Sequence, residues 1–291
     1  MRLCRYGENK LGLIEGSGIR DVTPALDALG SFGYPLPAFD PLIAGLAKLR
    51  SRIEELSAKG PLLSLSGVKL LSPVANPRKI IGAPMNYRKH VEEAHANRDI
   101  HHDNTAHLNE VQRSGLFLKA SSSLVGAGEG VVIRHPDRRT DHEVELAVII
   151  GKRTSRAHRS SALESVAGYC IGLDMVTRGP EERSFRKSID TFSVLGPWLV
   201  TADEIPDPSG LGLSITVNGE PRQSSNTSDL ILGVAELIEM ASSFYTLEPG
   251  DVIMTGTPDG VGPVHPGDVM TASIDRIGTM NVTVRAAEPS N

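Results

Sequence analysis

Two cysteines in 291 residues, Cys4 and Cys170, are too few and too far apart in sequence to form a disulfide framework. Cys170 also lies in an apolar run, so both thiols are expected to be reduced. No apolar run approaches the roughly 18 residues of a bilayer-spanning helix. The first residues, Met1-Arg2-Leu3-Cys4-Arg5-Tyr6-Gly7, lack the apolar core that follows the basic region of a secretory signal. The expectation is a soluble, cytoplasmic protein with no membrane partner. A basic excess is missing too: 30 Lys and Arg stand against 35 Asp and Glu, for a net charge of -5. That balance excludes the cationic surface that a nucleic-acid backbone requires. Gly126-Ala127-Gly128 lacks the Gly-Lys-Ser/Thr ending of a phosphate loop and reads as a turn.

The rest of the composition is that of a soluble globular chain, long enough for one large domain or one large and one small. Residues 1–72 read as a small α/β unit. Leu11–Glu15 and Ile19–Val22 flank Gly16-Ser17-Gly18 as a hairpin, and Thr23 is placed to cap a short helix. A longer amphipathic helix follows, with Asp40 as its N-cap and Pro41 at its first position. The boundary is expected where the 68–74 strand meets Pro73, leaving 73–291 as the catalytic unit. Later punctuation includes a hairpin at Asn218-Gly219, a capping box at Ser161 to Glu164, and Asp229 as the cap of a helix over 231–241.

The chemistry concentrates around Asp141-His142-Glu143-Val144-Glu145, which alternates polar and apolar residues before running into an apolar stretch, as one strand entering the core would. Glu143 and Glu145 share a face, with Cα atoms about 6.6 Å apart. Either they are solvated at a strand end, or a cation compensates their repulsion and desolvation. Asp174 ends a second apolar strand. It could complete an all-oxygen site of the kind magnesium, manganese or calcium prefers. His90 and Glu93, three apart at the start of a helix, lie on one face, where the carboxylate can orient the imidazole. The alternative is a surface pair. Lys119 sits on a short strand and Lys187 before a Gly196-Pro197 turn, each with a solvated reading beside a pocket reading. His101, His102 and His107 fall in a polar segment that reads as a loop or lid, with a transition-metal site as the minor alternative.

Taken in order, Asn86-Tyr87-x-x-His90-x-x-Glu93, Glu143-x-Glu145, Asp174, Lys187, Gly196-Pro197, Asn218-Gly219 and Thr255-Gly256-Thr257-Pro258 resemble the fumarylacetoacetate hydrolase family over residues 73–285. The resemblance implies a mixed α/β, predominantly β fold, a β-sandwich roll with a small N-terminal domain, assembled as a homodimer or larger homo-oligomer. It implies Glu143, Glu145 and Asp174 as ligands of magnesium or manganese, and His90 and Glu93 as the pair that activates water. Lys187 corresponds to the enolate-stabilising lysine, and Tyr87, Lys119, Arg178, Thr255 and Thr257 to substrate-binding positions. The implied reaction is carbon–carbon cleavage of an acylpyruvate or 2,4-diketo acid, fumarylpyruvate- or fumarylacetoacetate-like. Decarboxylation of oxaloacetate-like acids and isomerisation or hydration of unsaturated 2-oxo diacids are the alternatives on the same scaffold, and a metal-stabilised binding protein is a remote one. One departure stands out. Many members continue the Asp174 strand with Arg-Asp and then Gln, whereas this chain has Arg178-Gly179 and then Glu181-Glu182, with fewer residues before Lys187. The pocket wall there is expected to differ.

Overall fold

The computed structural model describes residues 1–102 and 108–288. Strand exceeds helix, 35% against 24%, which makes the fold mixed but mainly β. In hydrogen-bonded order the largest sheet runs through Leu62–Ser64, Gly18–Asp21, Lys10–Glu15, Arg2–Tyr6, Ser193–Thr201, Val166–Asp174, Val144–Ile150, Val252–Met254, Ile80–Gly82 and Phe117–Lys119. A second sheet of five strands is built around Gly212–Val217, Val269–Ile274 and Gly278–Ala286. A third sheet joins only Thr140–His142, Val176–Thr177 and Gly262–Pro263.

The unbroken apolar run of Val144–Ile150 follows from burial on both faces. Val144, Leu146, Val148 and Ile150 pack with Ile215, Met270 and Met280 of the second sheet. Ala147 and Ile149 point the other way, into a cluster with Ile43, Cys170 and Leu195. Leu146 is fully buried, and Leu146→Ala at such a position costs about 2–5 kcal/mol. The two thiols occupy different apolar clusters, and burial pushes that of Cys4 up to about 12, which suits neither for nucleophilic work.

The amino-terminal hairpin, Lys10–Glu15 with Gly18–Asp21, forms as its turn residues imply. Its neighbour Arg2–Tyr6 pairs with Ser193–Thr201, so the main sheet continues into this region. A separate apolar cluster of Leu3, Leu11, Val22, Ala25, Leu49 and Ile53 packs the hairpin against helix Pro41–Ser57. Buried Asp40 caps that helix at Ile43 N (3.1 Å) and also accepts from Ala75 N and Asn76 N, tying the helix start to the chain beyond Pro73. Asn218 and Gly219 both adopt positive φ in the hairpin turn between Gly212–Val217 and Glu220–Asn226.

Three caps differ from expectation. Thr23 lies inside a 3₁₀ helix, Thr23–Leu29, and its hydroxyl accepts from Leu11 N. Ser161 donates to His158 O and caps nothing. The helix expected from Asp229 starts later, at Val234–Phe244 behind Gly233. The reason is Asn86, whose side chain bonds both main-chain groups of Leu232 and so takes up the groups that an earlier helix start would use. Among the described residues no helix is long and apolar enough to cross a membrane.

Candidate active site

The 141–151 stretch is two strands, with Glu143 between them. Thr140–His142 belongs to the small sheet and Val144–Ile150 to the large one, so the chain changes sheets at Glu143. Glu143 O accepts from Asp174 N at 2.9 Å, which sets Glu143 beside the end of the Val166–Asp174 strand. Glu145 lies two residues further on the same face. Oxygen atoms of Glu143, Glu145 and Asp174 fall within 4.8 Å of one another, and all three residues are buried. A small inward shift would close that spacing on an ion held at about 2.0–2.6 Å.

Electrostatics favours an ion here. Burial pushes the Glu145 carboxyl well above the usual range, and nearby Asp174 and Glu143 push it further, so this corner is short of positive charge. Glu143 moves the other way. Burial works against its charge, but Lys187 and Arg178 outweigh it and hold the carboxyl at about 2. Lys187 Nζ bridges Glu143 Oε2 (2.6 Å) and Asp174 Oδ2 (2.5 Å). Arg178 spans Asp141 Oδ2 (2.8 Å) and Glu143 Oε1 (3.0 Å). Behind them, fully buried Lys119 bonds Asp174 and Phe192 O. The donors are hard carboxylate oxygens, which suits Mg2+ or Mn2+.

His90 lies on helix Arg88–Ala96, and its Nδ1 sits 2.9 Å from Glu93 Oε2. Glu93 Oε1 accepts from Gly260 N at 2.9 Å. An ionised carboxylate only accepts, so Nδ1 carries the proton and Nε2 is left basic. His90 and the three carboxylates line one cavity together with Lys187, Arg178 and Thr257. Tyr87, Lys119 and Thr255 are off its wall. The Tyr87 ring is in the core, and its hydroxyl has no hydrogen-bond partner among the described residues. Lys119 supports Asp174 from behind, and the Thr255 hydroxyl bonds Leu146 O. Gly256, at φ +102, donates its N–H to Glu145 Oε2 (2.7 Å), and an added Cβ would lie 2.7 Å from that of Asn86, so only glycine suits the position. His101 reaches the cavity, His102 is exposed, and His107 lies outside the described residues. The carboxylate trio is the one cluster of metal-binding side chains found among the described residues.

Several contributors carry no sequence signal of their own. The buried amide of Gln223 accepts from His142 Nδ1 and Val144 N and donates to Thr257 Oγ1 and Pro258 O, which locks the 255–258 turn against the strand that carries Glu145. Asp141, paired with Arg139 and Arg178, orients the guanidinium that meets Glu143. Arg183 and Arg186 also line the cavity. Their positions beside Lys187 at helical spacing were the one available hint.

The family model for the fumarylacetoacetate hydrolase C-terminal region matches residues 79–285. The chain belongs to the fumarylacetoacetate hydrolase family. A maleylpyruvate hydrolase from Aquipseudomonas alcaligenes is 59% identical over 286 residues, covering 98% of this chain and 100% of that protein. The crystal structure of maleylpyruvate hydrolase from Sphingobium sp. SYK-6, in complex with manganese(II) ion and pyruvate, superposes with a TM-score of 0.83 at 39% identity, covering 99% of this chain and 100% of the other. A mitochondrial oxaloacetate tautomerase from Xenopus laevis is 35% identical over 268 residues, covering 84% of this chain and 80% of that protein.

Proposed function

We propose that this chain is a metal-dependent acylpyruvate hydrolase that splits maleylpyruvate into maleate and pyruvate. The observation that carries the reading is the meeting, on one cavity, of a carboxylate trio, a carboxylate-oriented histidine and a lysine ammonium. The two maleylpyruvate hydrolases above support the substrate, and the manganese and pyruvate in one of them support the cofactor.

Glu143, Glu145 and Asp174 would hold Mg2+ or Mn2+, which supplies a Lewis acid for the 2-oxo acid end of the substrate. His90 Nε2 takes a proton from a water as that water adds to the C4 carbonyl, and Glu93 steadies the imidazolium. The C3–C4 bond then breaks and its electron pair moves into a pyruvate enolate. The Lys187 ammonium offsets that negative charge. The imidazolium returns its proton to C3, giving pyruvate and a free carboxylic acid. Arg178 and Thr257 face the substrate, whereas Tyr87, Lys119 and Thr255 shape the wall from behind.

In this reading residues 73–291 are the catalytic unit and residues 1–72 a small supporting domain. The enzyme works in the cytoplasm as a homodimer, and outward-facing Phe185 and Phe244, 69% and 81% exposed, are candidates for the contact. The decisive experiment strips metal with a chelator, restores Mn2+ or Mg2+, and follows pyruvate release from maleylpyruvate. Metal-dependent release is expected. Full activity without metal, or tautomerisation of oxaloacetate with no pyruvate released from any acylpyruvate, would overturn the assignment.

A further inference from the structure

Strand Glu220–Asn226 lies at the edge of the second sheet, and Gln223 is its one buried residue. An irregularity in the pairing with Gly212–Val217 explains why. Gln223 stands opposite Ile215 and Pro221 opposite Thr216, which leaves Arg222 as an extra residue. Such a bulge re-aims the side chain beside it. Here it turns the Gln223 amide inward and brings Arg222 O against Gly260, whose φ is +92 and where an added Cβ would strike that carbonyl.

Gln223 is off the cavity wall, yet its hydrogen bonds use the whole capacity of the amide. Its oxygen holds Val144 N (3.0 Å), between the candidate ligands Glu143 and Glu145. Its NH2 holds the turn at Thr257 Oγ1 (2.8 Å) and Pro258 O (2.7 Å). That turn reaches both poles of the site. Gly256 N donates to Glu145 Oε2, and further along Gly260 N donates to Glu93 Oε1, which leaves Glu93 Oε2 for His90 Nδ1. The Gly256 end is also pinned without Gln223, by Thr255 N and Oγ1 on Leu146 O and by Thr257 Oγ1 on Val144 O. Pro258, on the way to Gly260, is held by the Gln223 amide.

We propose that Gln223 is a positioning residue: through the 257–260 turn it fixes Glu93, and hence the His90 imidazole, at a set place relative to the carboxylate trio. The proposal rests on the acylpyruvate hydrolase reading, in which His90 Nε2 takes a proton from a water adding to C4 while the 2-oxo acid end lies at the carboxylates. Base and carboxylates come from separate elements, helix Arg88–Ala96 on one side and the start of strand Val144–Ile150 on the other. A misplacement of about 1 Å between two such groups can cost about 10²-fold in rate. Gln223 joins the two elements without facing the substrate.

The test compares wild type, Gln223→Met, Glu93→Gln and the double variant, each loaded with Mn2+ and each shown by its melt to be folded at the assay temperature. Gln223→Met should lower the single-turnover rate of pyruvate release from maleylpyruvate by about 10- to 100-fold. KM and Mn2+ affinity should move by less than about threefold. Added to Glu93→Gln, the same change should cost less than about threefold more, because the residue it acts through is already altered. Hydrogen exchange of metal-free protein gives a readout apart from activity. In Gln223→Met the amides of Gly260 and of helix Arg88–Ala96 should exchange about tenfold faster, beyond any change in strand Val166–Asp174. Losses that add in the double variant, a loss confined to KM or metal affinity, or unchanged exchange at Gly260 and the helix would overturn the assignment and leave the hydrolase reading standing. If wild type releases pyruvate from no acylpyruvate, the hydrolase reading itself fails, and the exchange comparison alone decides whether Gln223 fixes Glu93.

Discussion

Replacing Glu93 with Gln keeps the size of the side chain and removes one acceptor, with a consequence that the geometry fixes. Glu93 serves two donors at once, Gly260 N at Oε1 and His90 Nδ1 at Oε2, each at 2.9 Å. Glutamine offers one oxygen and one NH2. If the oxygen stays with Gly260, the NH2 faces Nδ1, which must then accept, and the imidazole proton moves to Nε2. The ring keeps its place but loses its basic atom on the cavity side. The opposite amide orientation sets two donors against each other at Gly260. Leaving that N–H unpaired costs about 1–3 kcal/mol, which disfavours the active tautomer roughly 5- to 150-fold. The carboxylate charge opposite the developing imidazolium is lost as well. Together these should lower the single-turnover rate by about 10²–10⁴-fold. Because the number of hydrogen bonds is conserved, the melting temperature should move by no more than about 2 °C. Rapid-quench measurement of pyruvate formation by Mn2+-saturated protein reads the chemical step, and calorimetry checks that metal affinity is unchanged. A variant within threefold of wild type would refute the tautomer argument.

Other changes separate support from chemistry. Lys187→Met should lower kcat by about 10²–10³-fold with a smaller change in KM, because the ammonium favours the enolate over the ketone; a rise in KM alone in steady-state assays would make Lys187 only a binding group. Asp174→Asn takes the carboxylate from the Lys119 ammonium and leaves Lys187 with Glu143 alone, so thermal melts of metal-free protein should show a loss of about 3–5 kcal/mol, or roughly 10 °C. Glu145→Gln should barely move that melt, since burial already favours its neutral form, yet should abolish tight metal binding in a titration. Equal destabilisation by the two substitutions would contradict this charge assignment. Gln223→Leu breaks four hydrogen bonds around the 255–258 turn and should cost about 2–4 kcal/mol in denaturant melts; an unchanged midpoint would show that the turn holds without it.

What could be read in the sequence was local. His90 and Glu93 are one helical turn apart, so their spacing alone announces the pair, and the apolar Val144–Ile150 run announces a buried strand. The break at Glu143 was hidden, because what divides the stretch is a change of pairing partner from Val176 and Gly262 to Leu173 and Met254. Lys119 and Lys187 look alike in sequence, and only the topology puts both against Asp174. Gln223 meets His142 across 81 positions, and Arg178 meets Asp141 across 37. Such meetings leave no periodicity behind. The late start of the Val234–Phe244 helix has the same origin: a clamp by Asn86, 146 positions away from Leu232, overrides a good local cap.

The pairing of Arg2–Tyr6 with Ser193–Thr201 bears on what the main sheet leaves open to other molecules. Leu3 lies against Leu199 and Arg2 against Val200, so the amino-terminal strand covers main-chain groups that would otherwise form an open sheet edge. An exposed edge flanked by apolar residues is a template for adding a strand from another molecule. A chain beginning at residue 73 would keep every side chain of the candidate site and lose this cover. It should therefore self-associate as its concentration rises, seen by light scattering as growth in particle size, even while fresh protein turns over substrate. On this argument the amino-terminal strand should protect an edge, and any segment exchanged for it must still lay an antiparallel strand along Leu199 and Val200.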